Sequence, residues 1–121
     1  CFAEKTGYSK FGSYTGNGST DGPFIYTGFK PAFVITKRTD GTGSWGINDN
    51  RRPGYNVTHQ YLLANDAQAE ATDGSWSMDL LSNGWKARYN NGNFNASGGS
   101  YIYMAFGQSL VGSNNVPCTA R

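Results

Sequence analysis

Tyr101-Ile102-Tyr103-Met104-Ala105-Phe106 is the stretch on which the fold class turns. Successive side chains of an extended chain point to opposite faces. Tyr101, Tyr103 and Ala105 therefore share one side, and Ile102, Met104 and Phe106 the other. Both sides are apolar, which predicts a central strand with something covering each face. Phe33-Val34-Ile35-Thr36-Lys37-Arg38 alternates in the same way, and Trp76 and Met78 alternate with Ser75, Ser77 and Asp79. Further strand-like runs are Phe11–Tyr14, Phe24–Thr27, Ala32–Lys37, Ser44–Ile47, Val57–Leu63, Ser75–Leu80 and Lys86–Tyr89. Clusters of Gly, Asn, Asp or Pro separate them, among them Gly16-Asn17-Gly18, Asp40-Gly41-Thr42-Gly43 and Asn50-Arg51-Arg52-Pro53-Gly54. Short strands with such punctuation point to a sandwich or barrel, and the expectation is an all-β antiparallel sandwich.

Composition says what fills it. The 121 residues make one domain. Aromatics number 18 while Leu, Ile and Val together number 13. The core must therefore be built from rings, each able to bury roughly 150–250 Å². Gly, Ser, Asn and Thr account for 50 residues, which is the chemistry of turns and strand surfaces rather than helices. Asn83-Gly84 and Asn91-Gly92 each read as the centre of a two-residue hairpin, because both residue types tolerate positive φ. Ala64–Ala71 holds good helix formers but is too short to stand alone. It reads as a loop or a single helical turn.

Charge and apolar runs exclude several functions. Net charge is +2, so neither a polybasic arm nor an acidic tail is present, and nucleic-acid binding is disfavoured. No apolar run approaches the ~18 residues of a membrane span. Cys1 and Cys118 read as two reduced thiols, or as a bridge if the first and last strands are neighbours; the spacings of a metal site are missing.

Catalytic constellations are weak. His59 is the single histidine, whereas triads and zinc sites usually need one in a set. The eight acids, Glu4, Asp21, Asp40, Asp49, Asp66, Glu70, Asp73 and Asp79, are scattered and mostly adjoin turn residues. Asp40-Gly-Thr-Gly and Asp49-Asn50 carry oxygen ligands without an EF-hand spacing, and Gly16-Asn17-Gly18 is no phosphate loop. No cofactor and no metal are expected. Arg51-Arg52-Pro53-Gly54-Tyr55 is a loop able to take a carboxylate, a phosphate or a sugar ring face, or to pair with acids of a neighbouring subunit. Arg51, Arg52 and Tyr55 with Trp45, Tyr89, Asn90, Asn91 and Asn93 form the candidate saccharide surface, although Trp45 reads equally as core. Three N-x-S/T sequons start at Asn17, Asn56 and Asn95.

The ends carry a further pattern. Cys1-Phe2-Ala3-Glu4 is similar to Ala105-Phe106-Gly107-Gln108, as if the chain opened on the end of a preceding module. The order of motifs Phe2-Ala3-Glu4, Gly7-Tyr8-Ser9-Lys10-Phe11-Gly12-Ser13-Tyr14-Thr15-Gly16-Asn17-Gly18, Gly28-Phe29-Lys30-Pro31-Ala32-Phe33-Val34-Ile35-Thr36-Lys37-Arg38, Met78-Asp79-Leu80-Leu81-Ser82-Asn83-Gly84-Trp85-Lys86 and Tyr101-Ile102-Tyr103-Met104-Ala105-Phe106 resembles a repeat in virion proteins of tailed bacteriophages. It departs at Gly107-Gln108-Ser109-Leu110, where Ala-Glu-x-Pro is more usual. The resemblance implies a concanavalin- or lectin-like jelly roll. It further implies residues 1–10 as the end of a preceding module or linker, 11–110 as the sandwich, and 111–121 as a tail. The implied role is a non-enzymatic module of a fibre or surface decoration on the particle surface. Its partners would be other virion proteins, further copies of itself and, in one reading, a host-surface glycan. A carbohydrate-binding receptor module and a glycosidase-type depolymerase are the alternatives.

Overall fold

The computed structural model describes residues 1–52 and 54–107. Its elements are β1 (Ser9–Thr15), β2 (Phe24–Tyr26), β3 (Pro31–Arg38), β4 (Gly46–Asp49), β5 (Leu62–Leu63), β6 (Met78–Leu81), β7 (Gly84–Ala87), the single turn α1 (Gly92–Asn95) and β8 (Ser100–Gly107). They form a five-stranded sheet ordered β1-β8-β3-β4-β5 and a three-stranded sheet ordered β2-β7-β6. Every pairing is antiparallel. The protein is an all-β antiparallel sandwich, as the alternation predicts. No described helix is long and apolar enough to cross a membrane.

The rings pack between the sheets. Trp85, Tyr101 and Phe94 are fully buried, with Tyr14, Phe29, Tyr61, Trp76 and Tyr103 beside them. Trp85 meets Tyr14 edge-on at 5.1 Å between centroids, and also touches Phe94 and Tyr103, each at 5.9 Å. Val34, Met78, Leu80, Ala87 and Ala105 fill the remaining space. Such interlocking rings bury large areas with few aliphatics.

Strand β8 is central, as expected, but its two faces are not equally covered. Tyr101, Tyr103 and Ala105 are buried. Ile102 is 41% exposed, and Met104 and Phe106 are half-buried. Among the described residues no second layer lies over that outer face; Phe2 and Tyr8 lean on Phe106, at 5.4 and 6.4 Å, beside Phe11 and Phe33 of the flanking strands, at 5.8 and 6.1 Å. Of the cover expected on both sides, the described residues supply it on one.

Several local readings are also corrected. The register Leu81↔Gly84 makes Ser82-Asn83 the two-residue loop rather than Asn83-Gly84. Gly84 is needed for another reason: a Cβ there would sit 2.1 Å from the Ile25 carbonyl oxygen of the adjoining strand. Asn91-Gly92 opens α1 instead of a hairpin, with the Asn91 side chain accepting from the Asn93 amide as an N-cap. The run Val57–Leu63 gives only β5 plus isolated bridges at Thr58 and Tyr61. Ala64–Ala71 is a loop, as read, closed by the isolated bridge at Ala71. Asn95 is buried and ties loops together: it accepts from the Asn17 amide and donates to the Ser19 and Tyr89 carbonyls. Its sequon is a structural device in the folded chain. Cys1 is exposed; Cys118 and the tail 111–121 lie outside the described residues.

Candidate functional site

Strand β3 carries the candidate residues to two separate places. It spans about 23 Å from Pro31 to Arg38. At the Arg38 end lie Trp45, Tyr89, Asn90, Asn91 and Asn93. The Arg38 guanidinium donates to the Gly92 carbonyl at 3.1 Å and to Asp40 at 2.7 Å, drawing the α1 turn onto the sheet. There the Asn91 side chain is spent on the helix cap. The Trp45 amide donates to the Asn65 side chain, and its ring is half-buried. Tyr89 and Asn90 are exposed.

Arg51, Arg52 and Tyr55 lie at the opposite end. The Asn50 amide donates to the Ala32 carbonyl at 2.9 Å, which places the exit of β4 beside the entry of β3 and so beside Lys30. Asp49 then turns the chain: its Oδ1 accepts from the Arg51 and Arg52 amides at 2.8 and 3.1 Å. Its Oδ2 accepts from Arg52 Nε at 2.7 Å, and Glu70 accepts from Arg52 Nη1 at 2.5 Å. Arg52 is thereby closed off between two carboxylates. Arg51 is exposed and has no carboxylate partner among the described residues.

This loop frames a recess of about 280 Å³ lined by Lys30, Asn50, Arg51 and Gly54. A smaller one of about 50 Å³ shares Lys30, Asn50 and Gly54 and adds Tyr55, Asn56, Thr58 and Leu80. Its floor is fixed, because the Asn56 side chain donates to the Leu80 carbonyl and accepts from the Leu80 amide. Thr58 is buried and donates to the Met78 carbonyl. Gly54 has φ +88°, a conformation that suits glycine. The sequence reading missed Lys30 and weighed Asn50 only as an oxygen ligand beside Asp49, since only the β3–β4 register brings the two together.

The acids are all engaged. Glu4 pairs with Lys10, Asp21 with Lys86 and Arg88, Asp40 with Arg38, and Asp79 with Arg88. Asp73 accepts from Tyr61 and from the Ser75 amide, and Asp66 from the Gln68 amide. Asp49 and Glu70 do come together, but with the Arg52 guanidinium between them. Hydrogen bonds from Lys10, Lys86 and Arg38 hold Glu4, Asp21 and Asp40 below the usual carboxylate range. The Ser75 amide does the same for Asp73. A general acid in glycoside hydrolysis needs the opposite shift. His59 is half-buried, its Nδ1 3.2 Å from the Val57 carbonyl oxygen. Among the described residues no three His, Cys, Asp or Glu side chains gather as a metal site.

One family model, a domain of unknown function designated DUF7483, matches residues 1–109. The chain belongs to the DUF7483 family. No curated protein and no solved structure matches it. The matched span of this DUF7483 chain takes in both sheets, the Phe2 segment and the Arg51–Tyr55 loop.

Proposed function

We propose that this chain is a non-enzymatic structural module of a tailed-bacteriophage particle, part of a fibre or surface decoration, assembled by contact with copies of itself. The phage setting rests on the motif order described above. The observation that carries the assembly role is the outer face of the five-stranded sheet. Phe11, Met104, Ile35, Ile47 and Leu62 stand opposite one another in register and form a row across all five strands. That row is about 19 Å wide at ordinary strand spacing. Phe33, Phe106 and Ile102 flank it, and Phe2 and Tyr8, 74% and 49% exposed, extend it. An apolar expanse of this breadth marks an interaction surface. A stable contact removes roughly 800 Å² from each partner. The hydrogen bonds and ion pairs that engage the carboxylates support a passive role.

The test is to purify particles of the phage that encodes the chain and to search them by peptide mass spectrometry and immunogold labelling. Peptides that co-purify with particles, and gold on the particle surface, are expected. Peptides confined to the particle-free lysate would overturn the reading.

A further inference from the structure

The recess at the β3–β4 end has a chemistry of its own, separate from the apolar face, and the inference from it does not depend on the assembly role. We propose that Arg51, Lys30, Asn50 and Tyr55 form a binding site for a carboxylated sugar residue. The argument begins with the different fates of two adjacent arginines. Arg52 is held by Asp49 and Glu70 and acts as a strut. Arg51 has its backbone pinned by Asp49 while its guanidinium stays exposed, without an acid among the described residues. A guanidinium presents a planar fork that matches a carboxylate. Lys30 adds a second cation to the same recess.

The other lining groups suit a hydroxylated ring. Asn50 contributes an amide that both donates and accepts. Tyr55 is 67% exposed and lines the smaller recess, which shares Lys30, Asn50 and Gly54 with the larger one. An aromatic body with a polar tip can lie along a sugar's C–H face and still bond a hydroxyl. A volume of about 280 Å³ is at the low end of small-ligand clefts, roughly 300–1,000 Å³. It admits one sugar residue rather than a length of chain. The double Asn56–Leu80 hydrogen bond fixes the floor of the smaller recess that adjoins it, so the site is preformed on that side. The charge around it explains the class of ligand: Arg52 is neutralised and acts as a buttress, while the Arg51 guanidinium faces solvent with the tyrosine.

The test is an amide-shift titration of the isotopically labelled full chain with digalacturonate, the neutral digalactose counterpart and inorganic phosphate. Digalacturonate is expected to move the amides of Asn50, Arg51, Gly54 and Tyr55. Digalactose should leave them still, and phosphate should bind at least tenfold more weakly than digalacturonate. Arg51→Gln should weaken digalacturonate binding by roughly tenfold, Arg51→Lys by less, and Tyr55→Ala by a few-fold, all with unchanged spectra in the sandwich core. Absence of those shifts, equal binding of digalactose, equal binding of phosphate, or an Arg51→Gln variant that binds undiminished would each overturn the site.

Discussion

The five-stranded sheet shows two faces made by the same strands, one residue apart. Its inner row reads Gly12, Tyr103, Thr36, Gly46 and Leu63; its outer row reads Phe11, Met104, Ile35, Ile47 and Leu62. The outer row is the more hydrophobic, yet the inner row faces the core. What decides is complementarity to the opposing sheet rather than hydrophobicity alone. Glycines leave room for rings: a Cβ on Gly12 would lie 3.0 Å from the Tyr103 ring, and one on Gly46 would lie 2.0 Å from Trp76 Nε1. The inner face is a mould around Trp76, Trp85 and Tyr103. The outer face is apolar, a character suited to another surface.

Substitutions should separate the two faces. The largest effect is expected from Trp85→Ala, which empties the centre of the mould. Removal of a large buried ring costs about 3–5 kcal/mol, and urea unfolding should show that loss. Gly46→Ala tests how closely the inner face fits; the added methyl has to displace the Trp76 indole, and overpacking costs about 1–3 kcal/mol. Ile102→Ala on the outer face should change unfolding of the isolated chain by less than about 1 kcal/mol, because the side chain is already 41% exposed. An outer-face variant as damaging as Gly46→Ala would break the distinction.

The pH dependence sharpens it further. Burial pushes the phenols of Tyr14, Tyr61 and Tyr103 up from their ordinary value of 10.0, Tyr14 most strongly. Their neutral forms are favoured in the folded state, so that contribution is full below pH 10 and is lost as pH rises through the folded values. Depressed carboxylates act in reverse. Asp21, Asp40 and Asp73 contribute above their ordinary 3.8, and the contribution fades as pH falls below it. Denaturation midpoints should therefore be flat between these limbs, with phenolate absorbance from the inner-face tyrosines appearing only on alkaline unfolding. The smallest effect is expected from Glu4→Gln. Its ion pair with Lys10 is solvent-exposed, and such pairs add little to stability, so the thermal midpoint should not move measurably.

The sandwich was legible because strand alternation and ring content are local properties. The alternation at Tyr101–Phe106 placed β8 inside its sheet, between β1 and β3, and the aromatic count anticipated a core filled by rings, which Trp85, Tyr101 and Phe94 supply. The roles of Gly84 and Asn95 were not legible. Gly84 answers to the carbonyl of Ile25, far away in the chain, and Asn95 to loops near residues 17 and 89. Which face the second sheet covers was hidden for a related reason: period-two alternation shows that both faces are apolar, not which one a second sheet lies against. The candidate saccharide residues read as one surface because loops were counted without register. Pairing of β3 with β4 divides them, leaving Arg51 and Tyr55 with Asn50 and the unanticipated Lys30 at one end and Trp45 with the asparagines at the other.

Sedimentation equilibrium of the full chain, beside the Ile102→Lys variant, tests the central claim most directly. The outer face is taken to be the surface on which copies assemble. Wild type is then predicted to sediment at twice the single-chain mass or more, and Ile102→Lys at the single-chain mass with an unchanged unfolding midpoint. A wild-type chain that stays at single-chain mass throughout the micromolar range, or a variant that associates as wild type does, would contradict it.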